Sequence, residues 1–197
     1  KIEILKEFEN FVFSKDSKKI IDLNRLNEKL LKELYIANKI NKNIANNKNI
    51  DARIVVGDED IGEINIAGST IISGDIADSL NKIRAVKLNG KNSNSTFQSN
   101  SYIKDLDLNE KLTLNLAGNL EAENLNFNKD ATVNLADNKN LDAKVNTLNN
   151  NEGVLNLLGS STIEKELGSS TNRLKEISTG QTGSISTFKD NVYAQKT

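Results

Sequence analysis

The stretch LTLNLA, residues 112–117, alternates leucine with polar residues. In an extended chain Leu112, Leu114 and Leu116 point one way, and Thr113 and Asn115 the other. A period of two reads as a strand with one buried face and one wet face. Three more segments keep its five-residue core: EINIA (63–67), TVNLA (132–136) and VLNLL (154–158). Their central asparagines are Asn65, Asn115, Asn134 and Asn156, the last three spaced by 19 and 22 residues.

Other apolar positions advance by similar steps. Leu106, Leu125 and Val145 are 19 and 20 apart, and Leu120, Leu141 and Ile163 are 21 and 22 apart. Three tracks moving together by about 20 residues define rungs of roughly three short strands each, which stack through parallel pairing into a β-solenoid. The four asparagine-centred strands are expected to share one sheet. The core is then a column of aliphatic side chains, each worth about 1.5–3 kcal/mol when buried.

A longer repeat contains these rungs. Residues 62–103 return without a gap at 153–194, 91 residues later. Gly62/Gly153, Asn65/Asn156, Gly68/Gly159, Ser69/Ser160, Ile72/Ile163, Asn81/Asn172, Thr96/Thr187, Phe97/Phe188, Asn100/Asn191 and Tyr102/Tyr193 match. A chain that repeats at a fixed period is usually a stacked array rather than a globular enzyme.

Asparagine occurs 31 times in 197 residues. Many copies lie between the strand cores, as at Asn138, Asn140 and Asn149–Asn151. Asparagine tolerates the left-handed backbone of tight corners, and stacked asparagines can hydrogen-bond from rung to rung. The codon bias of an AT-rich genome would enrich the same residue.

The chain has no Cys, Pro, Met, Trp or His, so disulfides and thiol chemistry are excluded. A net charge of −1 gives no electrostatic case for nucleic acid. No apolar run approaches the ~18 residues of a membrane span. The chain starts at Lys1 without a signal peptide and reads as a fragment, with any signal or anchor lying outside it.

Residues 1–49 differ in kind from 50–197. Ile4, Leu5, Phe8, Phe11 and Val12 fall at helical spacing, and Ile20, Leu23, Leu26, Leu30, Leu31 and Leu34 suit one side of a second helix. The segment reads as a helical cap or hairpin, or as a partner-binding helical subdomain, leading into a first strand near Ala52–Val56.

The commonest catalytic bases, nucleophiles and metal ligands are missing with His and Cys. Asp58, Glu59 and Asp60 form the densest acidic cluster, with oxygen ligands for Ca²⁺ or simply a solvated corner. Asp105 and Asp107 share the outward face of one strand, where paired carboxylates suit glycoside chemistry or an ordinary polar face. Lys82/Arg173 and Arg84/Lys175 make the outer face of both repeats mildly basic. Phe97/Phe188 and Tyr102/Tyr193 read as rung-packing residues. No catalytic, cofactor-binding or metal-binding residue is assigned.

The runs GVLNLLGSSTI, LGSSTNRLKEI and FKDNVYA (153–163, 167–177 and 188–194) resemble passenger-domain repeats of rickettsial surface cell antigen autotransporters, including the outer membrane protein B type. The likeness covers about residues 55–197. It implies a right-handed parallel β-helix presented at the cell surface, outside the outer membrane. It also implies adhesion to a host-cell surface protein, invasion, or a coat or stalk role. Membrane anchoring would come only through a region beyond this chain, and neither a small-molecule substrate nor a catalytic residue carries over. The alternatives are a carbohydrate-active β-helix enzyme of pectinase or tailspike type, and a phage or S-layer-like structural repeat, because fold alone does not choose among them.

Overall fold

The computed structural model of the chain describes residues 33–36 and 41–197. Two long sheets run along it, and every strand pair in them is parallel. The eight-stranded sheet contains β2 (Asn41–Ile44), β4 (Ile61–Ile66), β6 (Ile83–Leu88), β8 (Ser101–Leu108), β10 (Leu120–Phe127), β12 (Lys139–Thr147), β14 (Ser161–Ile163) and β16 (Ser186–Phe188). The seven-stranded sheet contains β5 (Ile71–Ile72), β7 (Asn94–Phe97), β9 (Thr113–Leu116), β11 (Thr132–Leu135), β13 (Glu152–Leu157), β15 (Leu174–Ser178) and β17 (Ala194–Lys196). A further pair joins β1 (Glu33–Ile36) to β3 (Arg53–Val56). The chain is thus a β-solenoid of about eight turns.

Strand register resolves the core into stacked columns on three faces. One face carries Ile54, Ile76, Ser101, Leu120, Leu141, Ile163 and Phe188 in vertical order. The next carries Ile44, Ile66, Leu88, Leu108 and Phe127, beside Ile64, Val86, Leu106, Leu125, Val145 and Leu167. The third carries Ile50, Ile72, Phe97, Leu116, Leu135 and Leu157. The tracks Leu106–Leu125–Val145 and Leu120–Leu141–Ile163 are therefore real vertical neighbours, and all six side chains are at most 1 % exposed. The strands β8 and β10 run through a corner between the first two faces. Two consecutive outward residues mark that corner, Lys104–Asp105 in β8 and Glu123–Asn124 in β10.

The asparagine-centred strands divide between sheets. Asn115, Asn134 and Asn156 are aligned in the seven-stranded sheet, but Asn65 lies in the eight-stranded one, between Asn43 and Lys87. The expected single sheet is corrected by the geometry of the long repeat. Adding 91 carries β4 to β13, β5 into β14 and β6 onto β15, each on the next face round. The repeat is thus four turns plus one face. It also reaches upstream of residue 62. Among the described residues, the backbone positions with φ between 56° and 89° fall into five pairs 91 apart: Asn47/Asn138, Asp60/Asn151, Gly62/Gly153, Ala77/Gly168 and Asn92/Gly183. These are the left-handed corners that asparagine, aspartate and glycine tolerate best.

The boundary at residue 50 moves as well. β2 already pairs with β4, so the stack includes residues assigned above to the helical segment. Leu34, placed on the second helix, lies in β1 and aligns with Ile54. No helix occurs among the described residues, and the rest of the expected helical segment, residues 1–32 and 37–40, lies outside them.

Candidate functional site

Outward side chains in a parallel stack meet their register mates about 4.8 Å away, close enough to bond from turn to turn. On the seven-stranded sheet Asn115 Nδ2 donates to Asn94 Oδ1 (2.6 Å), Asn134 to Asn115 (2.8 Å) and Asn156 to Asn134 (2.8 Å). Ser178 Oγ then donates to Asn156 Oδ1 at 2.6 Å. On the eight-stranded sheet Asn124 donates to Asp105 and Asn126 to Asp107, both at 2.8 Å, and Asn146 continues both rows. A corner column works differently. The Oδ1 atoms of Asp75, Asn100 and Asn119 accept the backbone N–H of Asn100, Asn119 and Asn140 in turn, at 3.0–3.1 Å. Asparagine suits both jobs because its short amide carries donor and acceptor together.

Carboxylates and cations pair in the same way. Among the described residues, Glu63 on β4 is the most buried acid, with its side chain 9 % exposed. It accepts from Lys87 Nζ (2.8 Å), Asn65 Nδ2 (3.1 Å) and Arg84 (3.1 Å). The Lys87 hydrogen bond, against the cost of burial, holds its carboxyl below the usual glutamate range. Burial alone would push Asp130 up, but Lys175 at 2.8 Å and the Gly153 N–H bring it below the usual range.

The residues singled out in the sequence are now placed. Asp58 and Glu59 are exposed at a turn, whereas Asp60 turns away to Lys104 Nζ at 2.6 Å and raises the lysine's pKa. Among the described residues no group of three His, Cys, Asp or Glu is arranged to hold a metal. Asp105 and Asp107 each begin an amide row. Lys82 bonds Glu121 (2.9 Å), Arg84 bonds Glu63 and Lys175 bonds Asp130, so these three cations of the basic face are engaged across turns. Phe97 is 1 % exposed in a core column, and Phe188 and Tyr102 pack partly buried against the core.

One concavity was not legible in the sequence. A groove of about 210 Å³ opens on the first face over four successive turns. It is lined by Tyr102 and Leu120, the corner amides Asn119 and Asn140, and the carboxylates Glu121, Asp142 and Glu164. Tyr102, Glu121 and Asp142 are strict register mates. Lys82, Lys165 and Lys189 each bond one of these carboxylates at 2.8–2.9 Å, yet none of the three lysines lines the groove. The spacing Tyr102–Glu121–Asp142–Glu164 follows the rung length, so only the register reveals it.

No protein family, characterised protein or solved structure matches the chain.

Proposed function

We propose that the chain is a non-catalytic stretch of a bacterial surface passenger, a right-handed β-helix used as a stalk or coat and in adhesion to host cells. The observation that carries this reading is what the two repeats keep in common. Gly62/Gly153 hold left-handed corners, and Ile72/Ile163 and Phe97/Phe188 belong to core columns. The Ser69 and Ser160 N–H groups bond Asn46 and Asp137, and their hydroxyls accept the N–H groups of Asn94 and Ile185. The retained residues named here maintain the scaffold, while outward positions such as Lys87/Ser178 and Lys104/Gln195 change. A stalk or coat needs that scaffold, whereas a duplicated active site would keep outward chemistry.

The non-catalytic part rests on the occupation of the outer carboxylates. Glycoside hydrolysis needs one carboxyl free to protonate a leaving group and a second facing the sugar. Asp105, Asp107, Glu121, Asp142 and Glu164 instead hold amides or ammonium groups.

Two measurements test the proposal. Protease treatment of intact bacteria should cleave the chain, and its recovery intact in the cytosolic fraction would end the surface reading. The purified chain should release no fragments from polysaccharides. Release that vanishes with Asp105→Asn or Asp107→Asn would establish the enzyme reading instead.

A further inference from the structure

We infer that the groove over Tyr102 is a binding subsite for an uncharged sugar ring at the end of a glycan. The inference deepens the adhesive part of the proposed function and rests on it only for the source of the glycan. Along the amide rows the outward side chains bond one another from turn to turn. On the first face, the turn-to-turn stack leaves a depression of about 210 Å³. Tyr102, partly buried, supplies an aromatic wall. A pyranose has one face of C–H bonds and a rim of hydroxyls. The C–H face packs against an aromatic ring, and the hydroxyls need planar donor and acceptor groups around it.

The groove has that rim. The corner column uses the Oδ1 atom of Asn119 to receive the Asn140 N–H, leaving the Asn119 Nδ2 hydrogens for a ligand oxygen. The exposed side chain of Asn140 stands one turn further on. Glu121, Asp142 and Glu164 each spend part of their acceptor capacity on a lysine, and a carboxylate has capacity left for a hydroxyl donor. Successive turns repeat at about 4.8 Å, so the acceptors form a row beside the ring rather than one point. Each carboxylate is neutralised by a lysine that lies outside the lining, so the wall presents acceptor oxygens rather than ammonium groups and suits the hydroxyls of a neutral or N-acetylated hexose better than the carboxylate of a uronic or sialic acid. Tyr193, the repeat mate of Tyr102, lies outside the groove and serves as a control.

The test uses the whole chain, ¹⁵N-labelled, titrated with N-acetyllactosamine and separately with an oligogalacturonate. The neutral disaccharide should shift the side-chain amide signals of Asn119 and Asn140 and leave those of Asn134 and Asn156 unmoved. Tyr102→Ala and the milder, surface-confined Asn140→Ala should each weaken binding roughly tenfold, and Tyr193→Ala should not. Absence of a shift with the neutral sugar, a shift that survives both groove variants, or binding of the acidic oligomer alone would overturn the inference. Sugar binding by a chain confined to the cytosol would keep the groove and remove the surface reading. Surface exposure without sugar binding would do the reverse.

Discussion

Gly153 and Phe127 compete for one volume. Gly153, the second residue of β13, has φ +81°, and a Cβ there would lie 2.7 Å from Phe127 Cγ in the turn below. Phe127 is fully buried, so its ring has nowhere to retreat without disturbing its column. Gly183 provides the control, with φ +89° and open space where its Cβ would sit. Both Gly→Ala changes carry a left-handed penalty of about 1 kcal/mol. Gly153→Ala should cost about 1–3 kcal/mol more through overpacking. Urea unfolding midpoints check the difference. Phe127→Ala removes Cγ and Cδ1, so the double variant Phe127→Ala with Gly153→Ala should cost less than the sum of the two single changes, and an additive double variant would show that the two residues do not share the space.

The amide rows have a direction, and reversing charge within them should be costly on one side only. Asp107 accepts from Asn126. Asp107→Asn keeps an acceptor oxygen there and should be close to neutral. Asn126→Asp would set two carboxylates where a 2.8 Å hydrogen bond stood and remove the donor. It should cost about 1–3 kcal/mol at neutral pH, and part of that should return on acidification as one carboxyl takes a proton. Thermal melts at pH 7 and pH 4 separate the two variants. Equal melting temperatures would mean the row contributes nothing.

Acid should weaken the turns joined by Glu63. Its pKa in the folded chain lies below the unfolded value. The unfolded state therefore binds the proton more readily, and the stabilisation is present above the unfolded pKa and lost as pH falls through the folded one. Wild-type stability should fall below about pH 4.3, and the fall should be shallower in Glu63→Gln. Asp130 contributes in the same sense, so Glu63→Gln should reduce the slope without abolishing it. Denaturant midpoints between pH 7 and pH 3 give the comparison, and parallel curves would remove Glu63 from the account.

Leu135→Asp places an unpaired charge in the third-face column between Leu116 and Leu157. Each turn leans on its two neighbours, so damage should spread from β11 to β9 and β13 before it reaches β2 or β17. Limited proteolysis should give early cuts near residues 113–157. Simultaneous cleavage at all sites would point to a single cooperative unit instead.

Much of this architecture was readable before any coordinates. The alternation in LTLNLA assigns Leu112, Leu114 and Leu116 to the inside, and they are at most 4 % exposed. The spacing of Leu106, Leu125 and Val145 gives true vertical neighbours because rung length is nearly constant there. The same reasoning failed for Asn65. A five-residue pattern records which side of a strand is wet, but not which of three faces the strand occupies, and Asn65 and Asn156 answer that differently. Leu34 failed for a related reason: leucines three and four apart suit a helix, yet four residues of ELYI also make an adequate strand when β3 lies beside them. The groove was hidden because Tyr102, Glu121, Asp142 and Glu164 are brought together only by coiling. No local motif links residues about 20 positions apart.

The offset of four turns plus one face has a genetic consequence. Recombination between the two copies, joining residue 61 to residue 153, would delete 91 residues while keeping every local corner, because each left-handed position has its counterpart in the other copy. Ile44 would then meet Leu157 in place of Ile66, one aliphatic residue for another. The shortened rod would fold, but everything downstream of the junction would point a third of the way round from its former bearing. Shortening such a rod therefore changes what it displays toward any given side, and surface novelty could arise from a crossover that alters no residue.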